Sequence, residues 1–147
     1  MLQKTFKNIS IDKISTIIDF VKPLIKPQMI IGLSGCLGAG KTFLTSALFS
    51  ELGLDVHMLS PTFTIMNQYY LEKLDCVLNH FDVYRIDGIS DLEAVGFFDA
   101  INDSKSITII EWVEKINDAL PPENIIFIKI NISNENIENR DYDILSI

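Results

Sequence analysis

The chain is poor in several things, and each shortage excludes something. Two cysteines, Cys36 and Cys76, stand in 147 residues, which makes no metal-binding spacing and no disulfide framework. Positive charge is scarce: 12 Lys and Arg stand against 20 Asp and Glu, for a net charge of −8. Direct, independent nucleic-acid binding is dominated by phosphate neutralisation, so this balance argues against it, and a role near nucleic acid would run through a partner. An acidic surface also suits a basic protein partner, or simply solubility. Only Arg85 and Arg140 carry a guanidinium. No apolar run approaches a membrane span, and Lys4 and Lys7 are followed by Asn, Ser and Asp rather than a secretory apolar segment. The expectation is a cytoplasmic protein with no membrane association. Repeats, low-complexity tracts and linkers are missing too, so residues 1–147 read as one domain, with 48% apolar residues to build its core.

What is present centres on Gly35-Cys36-Leu37-Gly38-Ala39-Gly40-Lys41-Thr42, the G-x-x-x-x-G-K-T phosphate-binding pattern. Residues 29–34 are a short apolar run suited to a buried strand. From Phe43 to Phe49 the apolar residues recur at helical spacing. The motif therefore sits on strand, tight loop and helix. Gly35, Gly38 and Gly40 permit left-handed backbone angles and close approach of a ligand. The loop N–H groups then form an anion nest at the positive end of a helix. Lys41 reaches β- and γ-phosphates, and the Thr42 hydroxyl is offered to Mg²⁺. The bland alternative is a ligand-free glycine turn. Cys36, inside the loop, reads as a small filler or as an oxidisable thiol.

The remaining chain divides into short elements. Residues 2–7 alternate as an edge strand. Ser10 is a helix N-cap, and Ile11, Ile14, Ile17, Ile18, Val21 and Leu24 form a helical face ended by Pro23 and Pro27. The loop helix ends near Leu52 with Gly53 as its stop. A short strand at 54–59 returns the chain toward the phosphate end. There Ser60 and Thr62 flank Pro61; their hydroxyls either reach a phosphate or its metal, or make routine turn contacts. Residues 65–71 and 77–86 form a hairpin, so part of the sheet is antiparallel. On its second strand His80, Asp82 and Tyr84 share one face by alternation, either solvent-exposed or lining a site, while Arg85 falls with Phe81 on the other. Short helical turns are expected at 91–94 and 97–101, separated by Gly96. Residues 106–110 make a second buried strand. It ends in Glu111, placed by type and position to meet Mg²⁺ or its waters; the alternative is a solvated carboxylate. Trp112 is a core anchor or a wall of the pocket. A helix at 113–120 stops at Pro121-Pro122, residues 124–132 form a strand, and residues 142–147 close the sheet as a last edge strand. The fold class expected is α/β, a three-layer P-loop NTPase fold with a mixed parallel and antiparallel sheet flanked by helices.

These pieces together resemble the TsaE family (also called YjeE), small bacterial P-loop ATPases of tRNA threonylcarbamoyladenosine synthesis. The resemblance rests on an ordered set covering nearly the whole chain: the phosphate loop, Ser60-Pro61-Thr62-Phe63-Thr64, His80-Phe81-Asp82-x-Tyr84-Arg85 and Ile109-Ile110-Glu111-Trp112. It implies an ATPase that binds ATP and Mg²⁺ and works with TsaD and TsaB to modify adenosine 37 of tRNAs reading codons that start with adenine. It does not imply contact with DNA, and tRNA is met only through the complex. By similarity Lys41 holds the phosphates, Thr42 and Glu111 hold Mg²⁺, and Asp82 lies near the γ-phosphate as a water-orienting base or an outer metal contact. Thr62 is switch-like and Trp112 packs near the nucleotide. The loop residues Gly35, Cys36, Leu37, Gly38, Ala39 and Gly40, with Phe43 after them, complete the nucleotide contacts. Cys36 and Phe43 depart from the polar residue and second threonine often found there.

Phosphoryl transfer needs positioning and charge neutralisation. A second positive group at the γ-phosphate is hard to find here: Arg140 reads as part of a polar tail, and Arg85 lies off the Asp82 face. Slow hydrolysis by the chain alone and faster turnover with partners is the expectation. Two rivals share the loop. A small-molecule kinase needs several arginines in a closing lid, which two arginines do not supply. A nucleotide-gated binding module with negligible turnover differs from a slow ATPase only in rate. A GTPase is disfavoured because no Asn-Lys-x-Asp stretch occurs.

Overall fold

Runs rich in isoleucine, such as residues 30–33 and 106–111, cannot face water on either side, and they become the middle of a sheet. A computed structural model describes residues 1–54, 61 and 64–147. Its strands are β1 (Leu2–Ile9), β2 (Ile30–Ser34), β3 (Met66–Leu71), β4 (Cys76–Asp82), β5 (Ser106–Glu111), β6 (Ile125–Ile132) and β7 (Arg140–Ser146). Among the described residues these seven form one sheet in the order β1-β7-β6-β2-β5-β4-β3. The central four, β6, β2, β5 and β4, run parallel. β3 on one side, and β7 with β1 on the other, are antiparallel additions. Every residue of β5 is buried, as a strand covered on both faces must be.

Two apolar layers cover the sheet. On one face Ile17, Ile18 and Val21 of α1 (Ser15–Val21) and Leu44, Leu48 and Phe49 of α2 (Lys41–Glu51) pack on Leu33, Leu78, Ile109 and Ile128. On the other, Leu92 of α3 (Ile89–Ala94) and Phe97 and Ile101 of α4 (Phe97–Asn102) pack on Ile30, Phe81 and Ile110. This is the expected three-layer α/β fold with a mixed sheet. The expected hairpin, the breaks at Gly53 and Gly96, and the strand ending at Glu111 are all present.

Four expectations are corrected. The last strand is not an edge: β7 lies between β6 and β1, pairing Leu2 with Ser146, and β1 is the edge on that side. Such a pairing across the whole chain leaves no local pattern. The first helix is shorter and broken, with 3₁₀ turns at Ile11–Lys13 and Lys22–Leu24, and Ser10 makes no side-chain cap bond to it. Residues 113–120 are not an α-helix. Val113–Ala119 is 3₁₀, kinked at Ile116 (φ −129°, ψ 22°). β4 ends at Asp82, so the alternation stops there, and Tyr84 and Arg85 are both exposed in the turn that follows. The strand expected at 54–59 falls outside the described residues apart from Leu54, as do Ser60, Thr62 and Phe63.

The 3₁₀ segment lies directly on β2. A Cβ on Gly32 would stand 2.7 Å from Val113 Cγ2 and 3.0 Å from its Cγ1, so the absence of a side chain there lets Val113 seat on the sheet and fixes the residue before it, Trp112. Across β1 and β7 a second device works. Asn8 takes φ 54° where the register shifts between Phe6 and Ile9, and its N–H donates to Asp141 Oδ1 at 2.8 Å while Lys7 Nζ donates to Oδ2 at 3.3 Å.

Gly32→Ala is expected to destabilise the fold by about 1–3 kcal/mol through overpacking, read from urea unfolding, with a changed Trp112 fluorescence in the native state. The hydrogen bond from Asn8 N–H, aided by Lys7, holds the Asp141 carboxyl below its ordinary value. Its contribution is therefore present at neutral pH and lost as the pH falls through that lowered value. Asp141→Asn is expected to be less stable than the natural chain at pH 7, with the gap closing as thermal melts are taken into acid.

Candidate functional site

The register of the parallel strands builds the site. Leu33 of β2 pairs with Glu111 of β5, and Glu111 pairs with Asp82 of β4. The ends of two neighbouring strands thus deliver Glu111 and Asp82 to one crevice, where open α/β sheets bind ligands. The phosphate loop leaves β2 at that point and runs into α2. Gly35 has φ 149°, and a Cβ on it would lie 2.5 Å from the Ile130 carbonyl oxygen of β6, so the loop passes closer to β6 than any other residue permits. Gly40, at φ 106° and ψ 24°, turns the backbone into the first helical residue, Lys41. The backbone N–H groups that open such a helix have no intrahelical partners.

Lys41 is almost fully enclosed. Its ammonium donates to the carbonyl oxygens of Gly35 at 2.6 Å and Cys36 at 3.0 Å, and lies 3.7 Å from the centre of the Trp112 ring. Burial pulls it below the ordinary lysine value, and the nearby Glu111 carboxylate pulls the other way. Thr42 Oγ1 donates to Glu111 Oε2 at 3.0 Å. The other carboxylate oxygen, Oε1, is 2.7 Å from His80 Nε2. Asp82 Oδ1 accepts the Tyr84 N–H at 3.0 Å, closing the turn at the end of β4. Trp112 takes φ 64° and ψ 37°, a left-handed conformation costly for a bulky residue; it turns the indole back over Lys41, and the Tyr84 ring lies 4.8 Å from it.

A cleft of about 390 Å³ opens between these groups, lined by Leu37, Gly38, Gly40, Lys41, Thr42, Phe43, Asp82, Tyr84, Glu111 and Trp112. Leu37 is 88% exposed at its mouth. A second cleft of about 240 Å³ lies across the loop, where Gly38, Ala39, Gly40 and Phe43 meet Ile9, Ile11, Arg140 and Tyr142. The sequence-expected residues Lys41, Thr42, Asp82, Glu111 and Trp112 are thus brought together around the loop. Cys36 is exposed on the loop and contributes its carbonyl. Thr62 lies outside the described residues.

Of the two readings open for His80, solvent or site, the structure gives the second: it is fully buried beneath Glu111. Its spacing from Asp82 marked the shared face, but the direction of that face came only with the packing of α2. Arg140 is not in a free tail. Its Nε donates to the Ala39 carbonyl at 3.0 Å and its Nη2 to the Gly38 carbonyl at 3.3 Å, with Nη1 on the Ile137 and Asn139 carbonyls. It clamps the outer side of the phosphate loop from the start of β7. No sequence signal near Arg140 marks this, because it depends on β7 pairing inside the sheet.

A glycine loop that carries lysine and threonine from a central parallel strand into a helix, beside a carboxylate on the next parallel strand, defines the P-loop NTPase class. Across residues 10–142 the chain matches the model of the family described as threonylcarbamoyl adenosine biosynthesis protein TsaE. It is 37% identical over 98 residues to the protein of that name from Haemophilus influenzae, covering 67% of this chain and 60% of the relative. The Bacillus subtilis protein of the same name is 32% identical over 125 residues, 85% of this chain and 76% of the relative. The crystal structure of Bacillus subtilis YdiB superposes with a TM-score of 0.73 at 25% identity, covering 99% of this chain and 86% of that one. The chain belongs to the TsaE family. Among the described residues no helix is long and apolar enough to cross a membrane.

Trp112 is the chain's one tryptophan, so its emission reports on the cleft. Arg140→Ala removes two hydrogen bonds from a charged donor to the loop, one of them long and exposed, so the loss is put near the lower end for a single charged hydrogen bond, about 1.5 kcal/mol. The expected outcome is a loss of about tenfold in ADP affinity, followed by Trp112 fluorescence, with the sheet intact by circular dichroism.

Proposed function

We propose that this chain is a cytoplasmic, Mg²⁺-dependent ATPase, slow alone, that serves as an accessory subunit in making the N6-threonylcarbamoyl group on adenosine 37 of tRNAs reading codons that start with adenine. TsaB and TsaD are its proposed partners. The observation that carries the ATPase reading is the bond from Thr42 Oγ1 to Glu111 Oε2, beside Lys41 in a phosphate loop. The tRNA reading rests on family membership.

The oxygen donors fit Mg²⁺. A hydroxyl and a carboxylate stand together with Asp82 on the same cleft wall. Among the described residues no group of three or more His, Cys, Asp or Glu could hold a metal by itself, and Mg²⁺ bound through one or two carboxylates usually takes its remaining ligands from phosphates and water. Thr42 and Glu111 would hold it, and when bound it neutralises charge on the β- and γ-phosphate oxygens. The loop amides and Lys41 bind the phosphates. Lys41 directs its donors to two loop carbonyls, which a phosphate would replace. Trp112 and Phe43 wall the nucleotide. Asp82, next to Glu111 in register, orients the attacking water or accepts its proton, and Lys41, Glu111 and Asp82 are the residues proposed to touch the reacting groups. Thr62 keeps its proposed switch role. Supporting contact with tRNA only through the complex is the net charge of −8. Slow turnover without partners is supported by the shortage of guanidinium groups: of the two arginines, Arg140 is held on the outer carbonyls of the loop.

Purified chain is expected to bind ATP and hydrolyse it slowly, with faster turnover when TsaB and TsaD are added. Lys41→Ala should abolish both binding and turnover. A rate unchanged by the partners would remove the accessory-subunit reading. Asp82→Asn should lower hydrolysis by about 10²-fold while leaving ATP affinity within about threefold, checked by phosphate release and calorimetry. Tight binding with no turnover under any condition would replace the ATPase with a nucleotide-gated binding module.

A further inference from the structure

His80 has no role in the proposed function so far, yet it is the most enclosed titratable side chain beside the site, with none of its surface exposed. Its Nε2 lies 2.7 Å from Glu111 Oε1. Among the described residues its other ring nitrogen, Nδ1, is buried without a partner. A carboxylate only accepts hydrogen bonds, so the bond to Glu111 places the proton on Nε2. The geometry therefore assigns Nε2–H as the donor to Glu111 Oε1. The ring itself cannot swing. Phe49 of α2 meets it edge-on at 6.1 Å and 82°, and its strand is paired on both sides, with Asn67 of β3 and Ile109 of β5.

The consequence falls on Glu111. Each carboxylate oxygen receives one donor: Oε1 takes His80 from beneath, and Oε2 takes the Thr42 hydroxyl at the cleft. A carboxylate held at both oxygens and almost fully buried has one orientation. Without His80, Oε1 would be buried and unsatisfied, and the group would rotate to seek another donor. We propose that His80 is a positioning residue: its Nε2–H fixes the Glu111 carboxylate so that Oε2 faces Thr42 and the metal, and it does so without touching nucleotide. This rests on the proposed assignment of Thr42 and Glu111 to Mg²⁺.

The test uses the full chain and two probes, ADP and Mg²⁺. ADP affinity is measured by calorimetry without metal and across a Mg²⁺ titration. Outer partners of metal ligands are commonly worth 10–100-fold in metal affinity. His80→Leu, which fills the space but donates nothing, is expected to raise the Mg²⁺ concentration for half-maximal effect by about that factor. ADP affinity without metal should stay within about twofold. His80→Gln carries an amide N–H at the same number of bonds from the backbone as Nε2, and it is expected to restore most of the Mg²⁺ response. His80→Asn, one bond shorter, is not. In a Glu111→Gln background, replacing His80 should add nothing, as expected for two groups acting as one unit.

Equal losses in the Gln and Leu variants would overturn the proposal and leave His80 as core filling. So would parallel losses with and without metal, or effects that add to Glu111→Gln. Should the Leu variant not fold, the contrast between Gln and Asn decides the matter in the same way: recovery in Gln alone supports the proposal, and equal losses in both overturn it. A natural chain whose ADP binding ignores Mg²⁺ would overturn the metal assignment and this inference with it. A Mg²⁺-responsive natural chain with an equally responsive Leu variant would sink this inference alone.

Discussion

The arrangement depends on one carboxylate kept in place inside the protein. Glu111 is 2% exposed, and a buried carboxylate survives only where its lone pairs are satisfied. His80 and Thr42 do this from opposite sides. The two donors come from different elements, β4 and α2, so the group is placed only when sheet and helix are both in register. The same requirement explains why Phe49 of α2 packs against the His80 ring: helix, histidine and carboxylate are positioned as one block. Because β4, β5 and β2 are neighbours in parallel, a slip of one residue between any two would turn Glu111 or Asp82 into the opposite apolar layer.

Around that block the chain holds conformational strain where function would need it. Trp112 is held left-handed at the end of β5. Gly32 accepts Val113 against bare backbone, which gives the strained turn a firm seat. The indole then lies over Lys41, and an ammonium between an aromatic face and loop carbonyls has lost much of its water. This is why burial dominates its lowered value. A lysine in that state gains most from an incoming anion, since phosphate would return the charge stabilisation that the folded protein withholds. Arg140 supports the same loop from outside, with a planar fork that suits two carbonyls at once.

Family membership and site geometry bear on different things. Membership carries the connection to tRNA threonylcarbamoyladenosine synthesis, which no distance in the fold could supply. Geometry carries the particular assignments: which oxygen of Glu111 faces Thr42, which side of the loop Arg140 holds, which nitrogen of His80 donates. The net charge of −8 belongs with the proposal, since a chain with this charge gains little from its own attraction to phosphate.

Much was legible from order alone. The phosphate loop, its strand and helix, the apolar strand ending in Glu111 and the hairpin at β3 and β4 were all visible, because each is set by neighbours within a few residues: glycine spacing, apolar runs, turn residues. The pairing of Asp82 with His80 on one face was visible as well, since alternation is local. What alternation could not say is which side of the sheet would be covered, so His80 was open between solvent and site until α2 closed over it. The place of Arg140 was hidden for the same reason at longer range: it reaches Ala39 across 101 residues, and only because β7 is an inner strand between β6 and β1. The sequence by itself determined the local chemistry, a loop for phosphate and a carboxylate at a strand end. Tertiary structure alone decided the partners of that carboxylate and of the loop, because long-range strand pairing and burial depend on the whole fold and not on any stretch of it.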